Sequence, residues 1–179
     1  MQEVSNEDVP RDFLELFFPI HYSVGMTIED TLRSGVLTRQ QTIILWLIRA
    51  KGVDGKKMSR KEIVKSMSYW FELTNSAISK ALRSLAKPPL GFLLITEDPA
   101  SGREKIIQLT PKGEKFLLQM VENGRLLVKH ITDELTEEEI KNGLHFFRRV
   151  SEIFGREVEQ KRDLPGSIMI KPSARVRHL

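Results

Sequence analysis

Between Leu93 and Gly113 the chain reads LLITEDPASGREKIIQLTPKG, an order that few folds accommodate. Two short apolar runs, at 93–96 and 105–109, flank a turn-rich loop that carries Pro99, Gly102 and the cation Arg103. That is the pattern of a β-hairpin with a basic tip. Thr110 and Pro111 then open a helix. The proline ring suits the first helical position, where its missing N–H is no loss, and the threonine hydroxyl can cap the turn. A hairpin set between a polar helix and a long one predicts a mainly α fold with a small β-hairpin.

Length and charge narrow the reading further. The 179 residues suffice for one core with appended arms. No run approaches the roughly 18 apolar residues of a membrane span, and the acidic start MQEVSNEDVPRD lacks the apolar centre of a secretion signal. Cysteine is absent, which excludes disulfides and thiolate metal sites. The cytoplasm is therefore the expected compartment. Residues 1–35 hold 2 Lys/Arg against 7 Asp/Glu, residues 36–115 hold 15 against 7, and residues 116–179 hold 11 against 10. A basic centre between acidic and near-neutral flanks fits a nucleic-acid-binding core; by charge alone it equally fits a lysine-rich surface.

Three sequences have the capping-box form, Thr38-x-x-Gln41, Ser59-x-x-Glu62 and Thr136-x-x-Glu139. In each, a hydroxyl and the side chain three residues on satisfy each other's free amides. They predict helices over 38–50, 59–67 and 137–161. A further helix spans 74–86 and ends at Lys87-Pro88-Pro89, because proline cannot continue it. Another runs from 111 to 130. The 38–50 helix is apolar almost all round and is expected at the buried centre. The last helix carries Ile140, Leu144, Phe147, Val150, Phe154 and Val158 at helical spacing. Near the N-terminus, Phe13, Leu14, Leu16, Phe17 and Phe18 argue for an apolar-faced helix interrupted or kinked by Pro19, with helix again over 27–34. The division is an N-terminal arm over 1–36, a core over 37–115, C-terminal helices over 116–163 and a flexible basic tail over 164–179.

On the 74–86 helix, Ile78, Ala81, Leu82 and Leu85 share one side. Ser76, Ser79, Lys80 and Arg83 share the other, with Asn75 near the start. Small hydroxyls, an amide and two cations suit close entry into a major groove, where an arginine fork can pair with guanine and an amide or hydroxyl can bond base edges. A solvated face is the alternative. The helix is third in a three-helix order and precedes the hairpin, which favours DNA reading. Arg103 and Lys105 on the hairpin suit the neighbouring minor groove or its phosphates. Lys56, Lys57, Ser59, Arg60 and Lys61, around the start of the second helix, read as phosphate contacts, helped by the amides and dipole of a helix N-terminus.

These segments, LTRQQTIILWLI at 37–48, the helix pair over 59–86, the hairpin DPASGREKIIQLTPKG at 98–113 and the helical flanks, resemble the MarR family of winged helix-turn-helix regulators over about 27–154. The resemblance implies a homodimer with intertwined terminal helices, each winged-helix core reading half of a pseudo-palindromic double-stranded DNA operator, most often as a repressor. It implies Asp98 and Arg103 as the acidic and basic positions of the wing, and the 76–83 segment as the reading face. Three departures stand out: Ser101 replaces a second wing aspartate, Thr96-Glu97 replaces a common arginine after the first strand, and KPPLGF replaces a short glycine turn. A dimer also follows from the two apolar stripes at opposite ends of the chain, since leaving them in water is unfavourable by about 25 cal/mol per Å².

Many such regulators release DNA on binding a small aromatic effector. Phe17, His21, Tyr22 and Trp46 are candidates to line such a cleft; the plainer reading makes them core and interface aromatics. The four histidines show no metal-ligand spacing, and no cofactor is expected. A phosphate-binding glycine loop, a G-x-S-x-G elbow and an H-E-x-x-H motif are all missing from the sequence, so an enzyme is not expected. The main alternative to a regulator is a winged-helix module that docks protein and binds DNA weakly or without specificity.

Overall fold

The computed structural model describes residues 8–71 and 73–162. Two compact units emerge, Met1–Lys129 and His130–Leu179. The expected basic tail at 164–179 lies outside the described residues.

The first unit begins with α1 (Val9–Pro19), which passes through a π-helical stretch (Ile20–Gly25) into α2 (Met26–Arg33). The interruption or kink expected at Pro19 takes the form of a change of helix type, for the α-helix ends there. The backbone stays helical, and the wider π turn begins directly after a residue that has no N–H to give. None of the residues of α1 is buried. Ser34 and Gly35, both at positive φ, end α2.

Helix α3 (Arg39–Lys51) is the centre of the core. Its capping box is complete, with Thr38 accepting from the Gln41 amide and the Gln41 side chain accepting from the Thr38 amide. Ile44, Leu45, Leu47 and Ile48 are fully buried, whereas Trp46 is 42% exposed. The side chain of Gln41, itself buried, donates to Ser84 Oγ at 3.0 Å and so ties α3 to the third helix of the core. Strand β1 (Lys57–Ser59) leads into α4 (Arg60–Trp70), where Ser59 and Glu62 form the second capping box. Helix α5 (Asn75–Ala86) is capped by Thr74 and buries Ile78, Leu82 and Leu85.

Strands β2 (Leu93–Glu97) and β3 (Lys105–Leu109) form the expected hairpin. Strand β1 was not anticipated, because three residues are too few to show alternation. It pairs with β3 in antiparallel register, Met58 opposite Ile107, and gives a sheet ordered β1-β3-β2. Ile107 and Met58 are buried with Phe92, Leu93 and Leu109 against the helices.

Helix α6 (Pro111–Thr132) docks through its first turn. Thr110 donates its hydroxyl to the Gly91 carbonyl at 2.7 Å, accepts from the Gly113 amide at 3.0 Å, and donates its own amide to the Phe92 carbonyl. Phe92 and Phe116 stack with centroids 4.4 Å apart. Leu117 and Met120 of α6 complete the core. Contact at this joint is so close that a Cβ on Gly113 would lie 2.1 Å from the Phe92 carbonyl oxygen.

In the second unit, α7 (Glu137–Arg162) starts from the third capping box, Thr136 with Glu139. The hydrogen bonds from Thr136 hold the Glu139 carboxyl below its ordinary range. Leu144, Phe147 and Phe154 on this helix are exposed.

The Gly113 joint generates a prediction. Gly113→Ala is expected to destabilise the fold by about 1–3 kcal/mol, because the overlap is with backbone that cannot rotate away. Urea unfolding would measure it; an unchanged midpoint would mean that α6 does not seat as described.

Candidate nucleic-acid interface

The outward side of α5 is set by the burial of its other side. With Ile78, Leu82 and Leu85 fixed in the core, Asn75, Ser76, Lys80 and Arg83 are exposed. Lys80 and Arg83 have no side-chain partner among the described residues. Ser79 is half-buried and already engaged: it donates to the Asn75 carbonyl at 2.7 Å and accepts from Arg60 Nη2 at 2.9 Å. Arg60 of α4 is thereby held across the start of the α5 face, a placement that the sequence assigned only to a phosphate contact.

The hairpin tip is closed internally. Asp98 Oδ1 accepts from the Ala100 amide, the Ser101 hydroxyl accepts from the Glu104 amide, and the Asp98 amide donates to the Glu104 carbonyl. Gly102 takes φ +60° at the turn, a conformation glycine adopts without a Cβ clash. Ser101, standing where the resemblance implies an aspartate, thus works as a turn cap. Arg103 is exposed at the tip, with no side-chain partner among the described residues.

Three of the expected contact groups already have partners within the chain. Lys105 is not a free cation: its Nζ lies 2.6 Å from Glu97 Oε1 across the hairpin. That hydrogen bond and the lysine charge hold the Glu97 carboxyl below its ordinary range. Lys56 is also paired, with Glu114 of α6 at 2.8 Å. Nor is the N-terminus of α4 open to an anion, for the Lys61 amide donates to Glu104 Oε1 at 3.1 Å and the Glu62 amide to Ser59 Oγ at 3.1 Å. Ser59 is accordingly a cap. Carboxylates close to lysines in the sequence carried this signal, but spacing alone did not say which would meet. Lys57 remains exposed on β1, and Lys61 keeps an exposed side chain.

The four aromatic residues expected around an effector do not share one cavity. Trp46 lines a recess of about 480 Å³ with Arg49, Lys56, Glu114 and Leu118. His21 and Tyr22 line another of about 550 Å³, among Glu29, Asp30, Arg33 and Arg39. Phe17 lines neither and sits exposed on α1 near Phe13, with ring centroids 6.3 Å apart. Phe17 belongs to α1, His21 and Tyr22 to the π-helical stretch, and Trp46 to α3. Among the described residues no cluster of three or more His, Asp or Glu is placed to hold a metal, and no helix is long and apolar enough to cross a membrane.

Comparison with known proteins agrees with this geometry. Residues 37–113 match the family described as winged helix DNA-binding domain. No curated protein sequence matches the chain. Solved structures share the fold at low identity. A MarR family protein from Bacillus stearothermophilus superposes with a TM-score of 0.70 at 16% identity, covering 85% of this chain and 99% of the other. A mutant MarR from E. coli complexed with operator DNA gives 0.57 at 20%, covering 83% and 99%. BpsR of Bordetella bronchiseptica, whose DNA binding is regulated by 6-hydroxynicotinic acid, gives 0.55 at 20%, covering 77% and 98%.

The hairpin ion pair can be checked directly. In Lys105→Met the Glu97 carboxyl is expected to titrate at higher pH, back toward the ordinary carboxylate range, as followed by carboxyl carbon NMR. An unmoved titration would mean the pair does not form in solution.

Proposed function

We propose that this chain, with its winged-helix DNA-binding domain and its MarR-type fold, is a MarR-family transcriptional regulator that works as a cytoplasmic homodimer. It binds a pseudo-palindromic double-stranded site and acts as a repressor. The observation that carries the proposal is the exposed face of Asn75, Ser76, Lys80 and Arg83 on the third core helix, together with an exposed Arg103 at the wing tip that has no side-chain partner among the described residues.

Each part has a physical role. Arg83 and Asn75 read base edges in the major groove. Arg60, held by Ser79, Lys57 and Lys61 lie along phosphates and give salt-dependent affinity without sequence information. Arg103 enters or borders the minor groove. Residues 37–115 form the reading core and the helical regions on either side of it form the dimer. Dimerisation covers two exposed apolar surfaces, one on α1 with Phe13, Leu14, Phe17 and Phe18, the other on α7 with Leu144, Phe147 and Phe154. Surfaces of that kind are seldom left in water. A two-fold axis sets the two α5 helices at the spacing of one DNA turn, about 34–36 Å. On this reading a small aromatic effector binds in the Trp46 recess, which Arg49 also lines and where the indole is partly exposed. Binding there shifts the population toward a spacing that no longer fits the operator.

Selection from a random-sequence duplex pool, followed by affinity measurements, tests the reading. Arg83→Ala is expected to lower the preference for the selected site by about 10–100-fold, whereas Lys57→Ala weakens all duplexes alike and reduces the salt slope by about one. If wild-type protein binds neither selected nor random duplex even at low salt, the alternative of a protein-docking winged-helix module takes its place. Separately, the pair Leu144→Asp and Phe147→Asp is expected to convert the dimer to a monomer in sedimentation velocity. A variant still dimeric would show that α7 does not form the interface.

A further inference from the structure

Strand β1 ends at Ser59, opposite Ile106 of β3, and the chain turns at once into α4. Continued past that point, the same antiparallel register would set Lys61 opposite Glu104. No backbone ladder is possible there, because Lys61 is already helical. The side chain of Glu104 spans the gap instead, its Oε1 accepting the Lys61 amide at 3.1 Å. We propose that Glu104 is a positioning residue for DNA recognition: its carboxylate latches the wing to the first turn of α4 and so fixes Arg103 relative to the reading helix. The inference rests on the DNA-binding reading above.

Several observations make the latch effective. The wing tip is internally closed by Asp98 and Ser101. Glu104 is at the centre of that closure, since its amide is held by Ser101, its carbonyl by the Asp98 amide and its carboxylate by α4. Arg103 is the adjacent residue and is exposed. On the other side of the contact, Arg60 precedes Lys61 directly and reaches Ser79 on α5. The Lys61 amide therefore joins the wing tip to the same turn of α4 that touches the reading helix. The acceptor is a carboxylate at a helix N-terminus, where the amide bond is charge-assisted and the helix dipole adds to it.

The role has a sign that separates it from plain electrostatics. Glu104 carries negative charge close to where phosphates would lie. If charge were its whole contribution, every substitution removing it would tighten DNA binding. A latch gives a different order, because glutamine keeps an oxygen acceptor for the Lys61 amide and alanine does not.

Full-length wild type, Glu104→Gln, Glu104→Ala, Arg103→Ala and the Glu104→Ala/Arg103→Ala double variant would be titrated on one duplex chosen by wild-type selection, at two salt concentrations. Glu104→Gln is expected to bind as well as wild type or tighter. Glu104→Ala is expected to bind about 5–10-fold more weakly, and Arg103→Ala to add little on top of it, the non-additivity of residues that act together. Far-ultraviolet circular dichroism and urea midpoints would confirm that each variant is folded. Tighter binding by both Glu104 variants, or full additivity of the alanine pair, overturns the latch. Failure of wild type to bind any duplex would overturn the DNA-binding reading itself, a result distinct from either.

Discussion

Strand β3 is hydrogen-bonded on both sides, and the interface depends on that double pairing. One ladder, to β2, makes the hairpin; the other, to β1, fastens the hairpin to the strand that leads into α4. Ile107 sits at the middle of both ladders and is fully buried. A one-residue slip in either pairing would turn Ile107 toward water and Gln108 into the core. Hydrophobic burial therefore sets the register, and the register sets where Glu104, Lys105 and Arg103 stand.

The charges on the basic core divide into two groups. Lys56 and Lys105 are neutralised by Glu114 and Glu97, and these pairs join elements that are far apart in sequence or on opposite strands. Lys57, Lys80, Arg83 and Arg103 keep exposed side chains without ion pairs among the described residues. Part of the net positive charge is thus balanced within the fold. Those four lie on β1, α5 and the wing tip, whereas Lys56 reaches α6 and Lys105 reaches β2. Exposed pairs of this sort contribute little to stability, typically below about 1 kcal/mol.

Much of this could be read from residue order. All three capping boxes form, because each needs only four consecutive residues and local geometry. Ile78, Leu82 and Leu85 point inward as their spacing requires, which leaves Lys80 and Arg83 outward. Pro19 marked where the α-helix ends, but residue order did not say whether the chain would leave the helix or only change its pitch. The grouping of the effector candidates was not legible, because aromatic type says nothing about which recess a side chain lines: Trp46 lines one, His21 and Tyr22 another.

The amino-acid order by itself determined the helices, their caps, the hairpin and the face that α5 offers, because each follows from periodicities and hydrogen bonds within a few residues. Tertiary structure alone decided that three isolated residues become β1, that Lys56 and Lys105 are taken by carboxylates, and that Glu104 meets an amide 43 positions away. Those outcomes require segments distant along the chain to be brought to within about 3 Å, the range of a hydrogen bond. Only the packing of the whole core fixes such distances.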